Sequence, residues 1–127
     1  MIQCIRTAPL IRLFALSATL IALSACAVAP ARDALVVGQQ ATIDGEVVRV
    51  DTDPWAYDGN AVITVSSAAA GTVGVQLPAR WNLCKAPPLG DVQALKPGDR
   101  VQAVGTVTAP GEMLVCERPQ HRLRKVE

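Results

Sequence analysis

Aromatic residues are scarce, amounting to 3% of the chain as two Trp, one Tyr and one Phe. A surface that stacks nucleic-acid bases needs aromatic platforms along a basic groove. The stretches that read as the first three strands, Ala41–Asp51, Asn60–Ser67 and Gly71–Leu77, contain no aromatic, and the precursor charge is only +1. Histidine occurs once, at His121. Neither Ser66 nor Ser67 lies in a Gly-x-Ser-x-Gly turn, and the chain has no phosphate loop, metal-protease motif or paired-carboxylate frame. No segment repeats its apolar residues at the helical period of 3.6, which excludes a helical domain. The expectation is a non-catalytic protein with no cofactor, no bound metal and no nucleic-acid partner.

What is present begins at the N-terminus. Arg6 and Arg12 precede an apolar run, Leu13 to Leu23, of 11 residues, which ends in Leu23-Ser24-Ala25-Cys26 followed by Ala27. Positive, apolar and small-residue regions in that order make a secretory signal. A spanning anchor is the alternative, since Leu13 to Ala31 is uncharged for 19 residues, close to the ~20 that a bilayer requires. Ser24, Ala25 and Pro30 weaken its second half. Leu23-Ser24-Ala25-Cys26 resembles the lipobox of bacterial lipoproteins. That resemblance implies cleavage before Cys26, acylation of Cys26, and, with Ala27 rather than aspartate next, transfer to the outer membrane with the domain facing the periplasm. Several acyl chains on one cysteine hold a protein stably, whereas a single chain does not.

Accepting the cleavage leaves 102 residues, with 10 bases against 11 acids. Such a chain makes one domain. Cys4 leaves with the signal and Cys26 carries lipid, so Cys84 and Cys116 remain, and in an oxidising compartment two such cysteines read as one disulfide. Two free thiols, or a zinc site joined by His121, are the alternatives.

Residues 26–40 lack a sustained period and read as a lipidated tether, although Leu35, Val36 and Val37 are apolar enough to cover an edge of the domain. Residues 41–127 read as the domain. Its first strand, Ala41 to Asp51, sets Val48 and Val50 on one face with Ile43 out of phase, and a bulge near Asp44-Gly45 is expected to restore the phase. Asn60 to Ser67 and Gly71 to Leu77 alternate with period two, each burying one face. Pro78 stops the third strand. Arg80 to Pro97 shows no alternation, and its Asp91–Leu95 portion is suited to a helical turn. Arg100 to Thr108 places Val101, Ala103, Gly105 and Val107 together, Ala109-Pro110-Gly111-Glu112 reads as a hairpin turn, and Met113 to Glu117 returns as a fifth strand. The basic tail beyond Pro119 offers an edge strand through Leu123, whose charges would deter edge pairing or meet anionic headgroups.

Five strands with one long connection between the third and fourth resemble the OB-fold, a small Greek-key barrel. The resemblance rests on Gly45-Glu46-Val47-Val48, on Leu95-Lys96-Pro97-Gly98-Asp99-Arg100-Val101 and on Gly105. It implies that strands three and five are neighbours, which brings Cys84 near Cys116. A small β-sandwich is the alternative. In OB-folds the loop between the first two strands commonly contacts ligands; here it holds Asp53, Trp55, Tyr57 and Asp58, the candidate contacts to a ligand or partner. The competing reading folds those aromatics over the barrel end. Asp51, Asp53 and Asp58 do not form a calcium loop, because Pro54-Trp55-Ala56 interrupts them and Val62 stands where a bidentate glutamate belongs.

The expected function is a lipid-anchored binding or adaptor module of the cell envelope, with the membrane and an envelope protein as partners. The alternative is a structural subunit of an envelope or secretion assembly.

Overall fold

The chain enters the fold through Leu35, which packs against the core, while Val36 and Val37 stay exposed. The structure, a computed structural model, describes residues 35–127; the proposed signal, Cys26 and the tether up to residue 34 lie outside the described residues. Six strands follow: β1 Gln40–Asp51, β2 Ala61–Ser67, β3 Gly71–Leu77, β4 Arg100–Ala109, β5 Glu112–Leu114 and β6 Arg122–Lys125. Their order is β1-β2-β3-β5-β4-β6, and β1 also pairs with β4. That last pairing closes a five-stranded barrel of the OB-like kind and not a sandwich. β3 and β5 run parallel, whereas the other pairs are antiparallel.

β1 closes the barrel because it serves two partners. Gln40–Glu46 pairs with β4, and Glu46–Asp51 pairs with β2. At the crossover a side chain on Gly45 would collide with the Ser66 carbonyl, so only glycine lets the two walls approach. The phase correction expected at Asp44-Gly45 lies instead at Val48: the β1–β2 register shifts between Val47 and Arg49. Ile43 and Val47 therefore point inward, Val48 is exposed and Val50 packs against the core. Val48 and Val50 do not share a face as expected, because the extra residue of a bulge inverts everything beyond it.

The interior is filled by small branched side chains, among them Ile63, Val65, Val73, Val75, Val101 and Val107, all almost fully buried. Each such side chain contributes ~1.5–3 kcal/mol on leaving water. Val101, Ala103, Gly105 and Val107 occupy the inner or covered positions of β4 that alternation assigns to them. Two short 3-10 turns, Trp81–Leu83 and Val92–Ala94, stand in the long connection between β3 and β4. Val92 is buried against the barrel, and the Asp91 carboxylate accepts from the Ala94 N–H at 3.2 Å.

The fifth strand ends at Leu114, short of the expected Glu117. Val115 donates one more backbone bond to Gln76, and the chain then leaves the sheet. It returns as β6, whose Arg122 pairs with Val104 while Leu114 pairs with Thr106. β5 and β6 thus lie along one edge of β4, separated by the excursion 115–121. The tail strand expected through Leu123 is β6, with Leu123 buried and Arg122, Arg124 and Lys125 exposed.

Candidate functional site

Residues 52–60 connect β1 to β2 at the barrel end where β3 finishes. Asp53–Tyr57 forms a 3-10 turn with Pro54 at its start, where proline's fixed φ suits the first turn. The turn carries Trp55 to the end of β3, and its indole N–H donates to the Leu77 carbonyl at 2.9 Å. The turn closes at Asp58, in the left-handed conformation with φ 59°. The Arg80 guanidinium donates through Nε and Nη2 to both carboxylate oxygens of Asp58, linking the β1–β2 loop to the β3–β4 connection. The hydrogen bond from Arg80, and then its charge, hold the Asp58 carboxyl below the usual carboxylate range. Both side chains are exposed, so water weakens the pair.

One residue past Arg80 the chain presents Trp81. Its indole N–H donates to the Pro87 carbonyl at 3.2 Å. The backbone is then fixed to the excursion after β5: Cys84 and Cys116 form a disulfide with Cα atoms 4.6 Å apart, and the N–H groups of Lys85 and Ala86 both donate to the Cys116 carbonyl. The pairing follows from the parallel β3–β5 neighbours, whose C-terminal ends deliver both cysteines to the same place.

Between these two fixed segments lies a cleft of about 350 Å³. Trp55 and Pro78 line it from the barrel side, Trp81, Pro88 and Leu89 from the connection, and Asp91 stands among the lining residues. Among the described residues no Lys or Arg lines it. Of the four candidate contacts in the β1–β2 loop, only Trp55 reaches the cleft. Tyr57 is 87% exposed. Asp58 is paired with Arg80 outside the lining, and Asp53 is exposed with its backbone N–H donating to Asp51. Among the described residues no group of three His, Cys, Asp or Glu side chains is placed to hold a metal.

Trp81 and Asp91 belong to the site although nothing in their local sequence pattern singles them out. The usable signal was rarity: Trp55 and Trp81 are the chain's two tryptophans, and two large rings in a small valine-filled barrel must share the few places that accept them. His121, although it stands in the basic tail next to Pro119, is fully buried. The chain matches no protein-family model and no curated protein.

Proposed function

We propose that this protein is a lipid-anchored, non-catalytic binding or adaptor module of the bacterial cell envelope, attached through Cys26 at the outer membrane with its barrel in the periplasm. The observation that carries the binding role is the cleft between Trp55 and Trp81, a concave, mostly apolar site with few polar groups, which is the usual make-up of a ligand pocket. The lipobox-like Leu23-Ser24-Ala25-Cys26 supports the address. The chain enters at the start of β1, and the Trp55 turn follows the end of that strand. The disulfide accords with an oxidising compartment. Cys84 and Cys116 are consumed in that bond and His121 is buried with its ring nitrogens facing Cys116 and Thr106, which speaks against their use as nucleophile and base.

Acyl labelling and envelope fractionation of the wild type and of Cys26→Ala test the address: the wild type should carry label and fractionate with outer membranes, and labelling of the variant would refute it. Crosslinking in intact envelopes, repeated with Trp55→Ala and Tyr57→Ala, tests the adaptor role. A structural-subunit role is favoured by a different observation, the exposure of Tyr57 and Leu83 at one end of the barrel. It requires that partners be lost with Tyr57→Ala and kept with Trp55→Ala.

A further inference from the structure

We propose that the Trp55–Trp81 cleft binds an alkylated organic cation, a quaternary ammonium of the choline type. The inference rests on the binding reading above and gives it a ligand class. Three observations lead there. Both indole N–H groups are already engaged, Trp55 with Leu77 and Trp81 with Pro87. No indole N–H is therefore left free to donate to a ligand, and each ring meets the cleft as carbon surface. The polar side chains among the lining residues are Asp91 and Gln93.

The second observation is charge. Among the described residues Asp91 is the one ionisable residue lining the cleft, and it forms no salt bridge among them. One of its oxygens caps the Ala94 N–H, leaving the other for a ligand. A carboxylate beside two indoles attracts a cation and repels an anion, and methyl groups on that cation fill the apolar space between Pro78, Pro88 and Leu89. Aromatic faces near a carboxylate are the chemistry by which quaternary ammonium groups are recognised.

The third is preorganisation. The indole bonds fix each ring, the Asp58–Arg80 pair links the two loops, and the Cys84–Cys116 bond holds the connection three residues beyond Trp81. A cage held open before the ligand arrives loses less entropy on binding.

Because the chain has only two tryptophans, intrinsic fluorescence of the purified full chain in non-ionic detergent reports on the cleft alone. The probes are choline chloride, its neutral carbon isostere 3,3-dimethylbutan-1-ol, and micelles doped with phosphatidylcholine. Choline should bind about tenfold more tightly than the isostere, a preference within the range that cation–π contacts supply. Saturation by the doped micelles with no response to free choline would place the same cation on a lipid headgroup, and still supports the proposal. Asp91→Asn, which keeps the oxygen that caps Ala94, should weaken choline several-fold without lowering the melting temperature. Reduction of the disulfide should also weaken binding. Equal affinity for choline and the isostere, or no response to any probe, overturns the cation proposal. Acyl labelling and crosslinking read the module proposal separately, so either can fail alone.

Discussion

The imidazole of His121 accepts a hydrogen bond from the backbone N–H of Cys116 at 3.1 Å. This contact closes the base of the excursion between β5 and β6. Accepting through Nδ1 requires that nitrogen to be unprotonated, so the neutral ring carries its proton on Nε2, which faces the Thr106 hydroxyl at 3.4 Å. A second proton on the ring would set Nδ1–H against the Cys116 N–H.

Burial drives the His121 pKa below its ordinary value of 6.5, with Arg118 adding to the effect and Glu117 opposing it. The unfolded chain therefore binds a proton at a higher pH than the folded one does. Stability is complete above pH 6.5, falls on acidification through 6.5, and stops falling from this cause below the folded-state pKa. The slope in that window is at most ~1.4 kcal/mol per pH unit for one proton. Asp58 and Asp99 have pKa values lowered from 3.8, so their contributions are lost only at more acidic pH. With one histidine in the chain, urea denaturation between pH 7.5 and 5 should show the decline, and His121→Gln should flatten it. An unchanged slope in the variant would rule out His121 as the source.

The disulfide closes a loop with a sequence separation of 32. Restricting the unfolded chain over such a loop stabilises the fold by ~3.5–4 kcal/mol in the chain-entropy model. The same link also positions Trp81, so its removal should act on both the barrel and the cleft. Replacing Cys84 and Cys116 together with serine should lower the midpoint of thermal unfolding by roughly 15–25 °C for a domain of this size. Adding reductant to the wild type should move it the same way, while leaving the double variant unaffected. A double variant as stable as the oxidised protein would show that the backbone bonds to the Cys116 carbonyl suffice.

Gly105 marks the tightest approach in the β4–β5 wall. A Cβ there would lie 2.5 Å from the Leu114 carbonyl oxygen and 2.8 Å from the Met113 side chain. The carbonyl cannot withdraw freely, because β5 is short and is followed at once by the Cys116 anchor. Gly105→Ala should therefore cost ~1–3 kcal/mol as an overpacked core does. Gly90→Ala is the control, since nothing lies within 4 Å of a Cβ built there; it should be neutral or slightly stabilising. Thermal melts of the two variants side by side decide whether space or glycine content matters.

Much of the barrel was legible in the sequence because alternation is local: the bounds of β3 follow directly from Gly71 and Pro78, and Val101 to Val107 declare the inner face of β4. The bulge at Val48 was not, since a run of three polar and apolar residues looks the same on either side of an inserted residue, and only the partner strand decides where the register slips. The burial of His121 was hidden for a related reason. Its neighbours Arg118, Arg122 and Arg124 are exposed and advertise a solvated tail, while the cause of its burial, the bond to Cys116, depends on the path of the excursion. The cleft joins residues that lie far apart along the chain, and only the closed barrel brings Trp55 to Trp81.

Trp55 and Tyr57 sit two positions apart in one turn and should respond unequally to substitution. Trp55 packs against the core and ties the loop to the end of β3 through Leu77. Trp55→Phe keeps most of the ring but leaves the Leu77 carbonyl without its donor, a loss of ~1–3 kcal/mol if water does not replace it. Trp55→Ala also removes packing, and should cost more than the phenylalanine variant. Tyr57 is 87% exposed, so Tyr57→Ala should stay within ~0.5 kcal/mol of wild type, as surface substitutions generally do. Urea midpoints of the three variants provide the ranking. If Tyr57→Ala destabilised the isolated protein as much as Trp55→Phe, the turn would be held by its exposed ring rather than by the indole bond, and the role assigned to Trp55 would be wrong.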